Sequence, residues 1–378
     1  MRWRGRGRAR SGPPPPVLAR DLTIGLAEGD PHEFEEVGDI EADAEGNMYI
    51  LDRGARRVAI FDREGRFRLA IGREGEGPGE FVSPHRLAWN GEDLAVLDRQ
   101  ALRISVFDRS GALRDTWTDP LWTSVFELSS VGDDVLAVER RALRDPFETR
   151  RYDEVYLNLV RPPGEIVDTV ATWVDSSVVQ VRYRALAARF GGPGLTQVRA
   201  PYGPSGVWDS RGPEILRGFG GEYRIHRFVV RDGRAHPAGD VSHDFPRPPL
   251  HAAERESIRK TIADLDERVD LDPRMPIPVP RLKPAFARMI VSGDGARVWL
   301  RTFRQGDPRL QMWDVHDCDL AYLGSVSLPR EAWVHAVAGQ ALYAAARTAL
   351  GIPHVARYRV PDDLAAPASG CPARGDGS

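Results

Sequence analysis

The stretch that decides the fold is residues 46–69, "GNMYILDRGARRVAIFDREGRFRL", because residues 91–113, "GEDLAVLDRQALRISVFDRSGAL", repeat it. Asp52 matches Asp98, Arg57 matches Arg103, Phe61 matches Phe107 and Asp62 matches Asp108, each pair 46 residues apart, with Gly65 and Gly111 also in register. "MYILD" and "RVAIF" are short, β-branched and aromatic, and apolar on both faces, as strands sandwiched between neighbouring sheets are. "DREG" and "DRSG" between them are turn chemistry, with Asp to bond its own backbone and Gly to take a positive φ. No helix of useful length interrupts either unit, which disfavours a βαβ arrangement. A period in the forties with about four short strands per unit predicts β-propeller blades.

Between the two copies lies "IGREGEGPGEF" (71–81), glycine-rich enough to raise the question of a phosphate loop. A phosphate cradle needs a helix directly after it and neutral or basic character. Here Glu74, Glu76 and Glu80 make it acidic, and Pro84 and a strand follow. It reads as the link from the outer strand of one blade to the inner strand of the next, with Phe81 plugging the gap between blades.

"LDRGARRVAIFDREGRF" and "LDRQALRISVFDRSGAL" resemble NHL repeats, although Ala55 and Ala101 stand where those repeats usually carry Asn. Joined to "GREGEGPGEF", they resemble the bacterial six-bladed β-propeller family, over roughly residues 19–117. The resemblance implies an all-β propeller of four-stranded antiparallel blades, exported to the periplasm or cell surface.

Later blades are read from strand alternation alone: the third from 122–140 and "EIVDTVATW", the fourth from 205–234, the fifth from 288–324 and the sixth from 333–360. Residues 17–26 are free to complete the sixth, which would remove exposed sheet edges. The propeller is thus expected over 17–361, with 1–16 a basic, proline-rich disordered extension and 362–378 a flexible tail. One segment does not fit a blade. In "HAAERESIRKTIADLDERVD" (251–270), Ile258, Ile262, Leu265 and Val269 fall at helical spacing between proline-rich flanks. It predicts one inserted amphipathic helix, either covering an apolar patch or forming a lid.

Composition narrows the function. Lys+Arg is 52 against Asp+Glu 55, a formal net charge of −3, so the net basic face of a nucleic-acid binder is not expected. No apolar run reaches the length of a membrane span or a signal sequence; export would then require a start upstream of Met1. Cys318 and Cys371 are too few for a disulfide framework or a cysteine metal site; one bond between them would tie the tail to the body, but they are expected to be unpaired. There is no G-x-S-x-G, HExxH, P-loop, EF-hand loop or CxxC, and the nine histidines lack short metal-site spacings.

The expected function is therefore non-catalytic binding by a monomer of an unknown small ligand, peptide or glycan, without a cofactor, a bound metal or nucleic acid. The alternative is a metal-dependent lactonase-like hydrolase or lyase working at the central channel. Propellers gather functional side chains one per blade where the inner strands begin. That position picks out Asp39, His85, Arg86, Arg288 and His335 as a channel-mouth site, and its arginines suit an anionic group. The recurrent pairs Asp52/Arg57 and Asp98/Arg103 are expected to be structural bridges.

Overall fold

The first repeat folds as the antiparallel strands Val37–Ala42, Met48–Asp52, Arg57–Phe61 and Phe67–Ile71, and the second as Pro84–Asn90, Asp93–Asp98, Arg103–Phe107 and Leu113–Thr118. The structure, a computed structural model, describes residues 14–26, 33–132, 135–141, 152–182, 195–269, 271, 276–303 and 307–365. The expected extension before residue 14 and the expected tail from residue 366 lie outside the described residues. Among the described residues the strands form six antiparallel sheets, five of four strands and one of five. The inner strands Val37–Ala42, Pro84–Asn90, Val125–Ser130, Gly206–Arg211, Phe286–Val291 and Trp333–Ala338 contact one another in that cyclic order, and the last contacts the first. The chain is an all-β six-bladed propeller.

Arg20–Ile24 pairs with Pro353–Arg359 as the outer strand of blade six, so the start of the chain closes the ring. Apolar clusters fill each gap between blades. The one between blades one and two collects Tyr49, Leu51, Val58, Ile60, Phe81, Leu87, Val96 and Phe107. Fully buried strands apolar on both faces explain why "MYILD" shows no alternation.

The glycine loop is a linker, as its acidity indicated. Gly72 (φ 76°) and Gly79 (φ 73°) adopt the left-handed backbone, and a Cβ on Gly72 would collide with the ring of Phe81. Phe81 is fully buried. The repeated aspartates clamp such linkers. Asp98 accepts main-chain N–H bonds from Val82 (2.7 Å), Ser83, Gln100 and Ala101, and Asp52 accepts them from Glu35, Glu36 and Ala55. The arginines behave differently from the expected bridge. Arg57 reaches Asp52 at 3.6 Å, but Arg103 donates to the carbonyls of Glu76, Gly77 and Glu80 instead of pairing with Asp98. Both arginines hold the preceding linker, since Arg57 also donates to the Glu33 carbonyl.

Blade three carries the fifth strand, Leu195–Arg199, beside an 18-residue strand Glu165–Arg182. The predicted helix forms over Ala252–Val269 between blades four and five. Ile258 is buried, and Ile262 and Leu265 pack with Val198, Ala200, Leu271 and Ile277. Cys318 is disulfide-bonded, which corrects the expectation of unpaired cysteines. The chain's other cysteine, Cys371, lies outside the described residues. No helix among the described residues is long and apolar enough to cross a membrane.

Candidate functional site at the channel mouth

Each inner strand begins at the same face of the ring, and in blades one, two, three, five and six it carries a bulge near its start. A bulge re-aims side chains where a ladder begins. Just after it, before the first core residues Ile40, Leu87, Leu128 and Met289, stand Asp39, Arg86, Glu127 and Arg288. His335 precedes Ala336 in blade six. Three of the five expected residues therefore share one register position, Glu127 joins them in blade three, and His335, like His85 in blade two, is the bulged residue just before it.

Their contacts link blades six, one, two and three. Asp39 Oδ1 accepts from His335 Nδ1 at 2.8 Å, while its Oδ2 accepts the Leu87 main-chain N–H across the blade gap at 3.0 Å. Burial works to raise the Asp39 pKa, but the His335 bond and the field of Arg86 hold it well below the usual carboxylate range. His335, with only 4% of its side chain exposed, is pushed down by burial despite Asp39, so it is neutral at pH 7. Its Nδ1–H is then the donor, and its ring also lines a cavity of about 90 Å³ lower in the channel, with Glu41, Ser129, Asp209, Ser210 and Gly293.

Arg86 forms a two-pronged pair with Glu127, at 2.7 and 2.6 Å, which satisfies both charges. Arg288 has no such partner. Its guanidinium lies over the ring of Trp333 at 4.8 Å, and Trp333 itself is 51% exposed. Burial pushes the Arg288 pKa down to about 10 against the opposing fields of Glu127 and Asp39, with Arg86 and Arg301 adding to the fall. Arg301 is its direct cross-strand neighbour. Like charges opposite one another are unfavourable, and among the described residues neither arginine has a carboxylate or hydrogen-bond partner.

His85 faces a different part of the mouth. Its Nδ1 accepts from Arg53 Nη2 at 3.2 Å, its carbonyl accepts from the same nitrogen, and its ring meets Phe126 edge-on. Phe126 also carries Arg99 at 4.0 Å and Arg141 at 5.0 Å from its ring centre. Burial first, then Arg86, Arg53 and Arg99, push the His85 pKa down to about 3. His85 should therefore show no imidazole titration between pH 5 and 8 by NMR, and Arg53→Gln should move its midpoint upward. A wild-type midpoint near the ordinary value of about 6.5 would remove this description of the mouth.

Sequence reasoning missed several members. Glu127 occupies the position already picked out in other blades. Arg53 and Arg99 follow the second strands of blades one and two and Arg141 ends that of blade three, all at equivalent register. Gly38 gives Arg53 its room, because a Cβ there would fall 2.4 Å from the Arg53 Nε. Glu139, cross-strand to Glu127, accepts from the Trp208 indole at 3.0 Å. The inserted helix reaches this side through contacts: Glu254 in its first turn pairs with Lys283 at 2.6 Å, Lys283 lies over Tyr202, and Tyr202 packs on Phe303 beside Arg301. Among the described residues no three His, Cys, Asp or Glu side chains converge as a metal-ligand set.

The all-β ring, with charged side chains gathered at one mouth of its channel, is a six-bladed β-propeller. Residues 24–152 match a protein family described as 6-bladed beta-propeller. Among solved structures, a Bacteroides fragilis protein described as exported aligns with a TM-score of 0.51 at 13% identity, covering 96% of this chain and 99% of that one. A Bacteroides vulgatus protein aligns at 0.46 with 11% identity, covering 90% and 97%. A Staphylococcus aureus virginiamycin B lyase aligns at 0.42 with 9% identity, covering 87% and 97%. The first shares the fold; the other two bear on nothing further. No curated protein matches the sequence.

Proposed function

We propose that this propeller is a non-catalytic binding protein whose channel mouth takes an anionic group. The observation that carries the reading is the cross-strand pair Arg288 and Arg301, two enclosed guanidiniums without a counter-ion among the described residues. A carboxylate or phosphate on the ligand would supply that charge through paired, charge-assisted bonds. Trp333 beside Arg288 offers an apolar face to the rest of the ligand. An oxidising, exported setting suits the disulfide-bonded Cys318.

Calorimetric titration with acetate, inorganic phosphate and glucuronate tests the reading. At least one of these anions should bind, and Arg288→Gln should weaken it by about tenfold or more, the loss of roughly one charged hydrogen-bonded pair. The variant should melt no lower than the parent, because it relieves a like-charge contact. Unchanged affinity in Arg288→Gln would overturn the assignment.

A further inference from the structure

The charges of the mouth do not cancel, and the excess lies on two opposite sides. Glu127 is paired with Arg86 and Asp175 with Arg141 at 3.0 Å, while Asp39, bonded to the neutral His335, keeps one negative charge. Four arginines remain. Arg288 and Arg301 are on blade five. Among the described residues, Arg99, at the top of blade two, is held only by the Thr123 carbonyl and the Phe126 face, and its charged neighbours Arg141, Arg53 and Arg86 all repel it. Arg53, next to it on blade one, has an exposed Glu36 at 3.7 Å and lies in the weaker fields of Asp39 and Glu127. In a ring of six, blades two and five are three steps apart and face each other across the axis.

Buried donors point the same way. Arg53 Nε and Arg301 Nε are enclosed without an acceptor. His85 Nε2 is enclosed as well, and because its Nδ1 accepts from Arg53, the neutral ring carries its proton on Nε2. Among the described residues, three N–H groups without acceptors therefore flank the same mouth, on both sides. A buried donor without an acceptor is costly unless a ligand supplies one.

We infer that the mouth is built for a ligand with two separated anionic groups, one bound by Arg288 and Arg301 and the other by Arg99 and Arg53 on the opposite side. The inference rests on the anionic-ligand reading and names its class: an extended dianion with the chemistry of a dicarboxylate, in place of a compact single anion. Clefts lined by one sign of charge concentrate such ligands. Engaging the second group within one molecule adds affinity only when the spacing between the groups matches the site.

The test is a length series at pH 7 and low salt. Succinate, adipate and suberate are titrated by calorimetry beside butyrate, hexanoate and octanoate, their single-carboxylate counterparts. One member of the dicarboxylate series should bind about tenfold or more tightly than its counterpart, with the optimum length reporting the span. Arg99→Gln should erase that advantage, whereas Arg301→Gln should weaken the dicarboxylates and the monocarboxylates alike. Arg53→Gln provides a second route to the same loss should Arg99→Gln fail to fold. Equal affinities for the two series, or an advantage that survives both Arg99→Gln and Arg53→Gln, would overturn the two-group inference while sparing the anion site. Failure of every carboxylate to bind would remove the anion reading itself.

Discussion

Asp98→Ala should lower the stability of this propeller by about 3–5 kcal/mol, seen as a fall in urea midpoint at unchanged m-value. The carboxylate is completely buried and takes four main-chain donors: Val82 and Ser83 at the end of the glycine linker, and Gln100 and Ala101 in the turn that follows its own strand. Alanine leaves those N–H groups facing a void, and each enclosed donor without an acceptor costs roughly 1–3 kcal/mol. Water reaching the turn offsets part of that sum. Asp98→Asn should fall between the two, because one amide oxygen can serve the linker while the NH2 group faces another donor. The distinguishing feature is position: the loss comes from a junction between blades, so Asp52→Ala, one blade earlier, should show the same sign with its three donors. A change below about 1 kcal/mol for Asp98→Ala would show that the linker finds other acceptors.

The same aspartates explain what could be read from the sequence. Blades one and two were legible because their markers do backbone work: Asp52 and Asp98 hold linkers, Asp62 and Asp108 hold turns closed by Gly65 and Gly111. Blade five repeats the second device out of sight. Asp317 accepts from the N–H groups of Asp319 and Ala321, but the left-handed position is filled by Leu320 at φ 66° in place of glycine. Its side chain is buried in the core between blades four and five, which compensates for the strained backbone and hides the repeat. From blade two to blade three the spacing shortens, Arg86 to Glu127 being 41 residues against 47 from Asp39 to Arg86, so Glu127 fell outside the register that singled out those two.

Other members of the mouth could not be read at all. Arg301 and Glu139 sit on second strands, and they approach the channel only because cross-strand register sets them beside Arg288 and Glu127. Arg53 and Arg99 look like ordinary turn residues until the ring closes and brings consecutive blades together. A linear pattern records what a residue does to its own backbone; it does not record which blade it will face. The five residues picked from the sequence were those whose place followed from the start of an inner strand.

Glu139 supplies the other large expected effect, and it is a pH effect. Burial, with the field of Glu127 beside it, pushes its carboxyl up to about 8, only partly opposed by Arg141 and by the Trp208 hydrogen bond. In the unfolded chain the group returns to its ordinary value of 4.5. Because the folded value is the higher one, the folded state holds the proton more tightly between those limits. The contribution is fully present below the unfolded value and is lost as pH rises through the folded value. At 1.36 kcal/mol per unit of separation, the loss between pH 5 and 8 is on the order of 3 kcal/mol. Glu139→Gln removes the titration while keeping an oxygen for the Trp208 N–H. The variant should match the parent near pH 5 and exceed it by about 2–3 kcal/mol at pH 8, with all other groups common to both proteins. Urea unfolding of the two proteins at the two pH values measures the difference directly. Parallel pH profiles would mean that Glu139 is ionised in the folded protein, its charge met by Arg141 or Arg86. A converging pair would establish that the mouth keeps one carboxyl protonated at neutral pH, which is the state that leaves its arginines in excess.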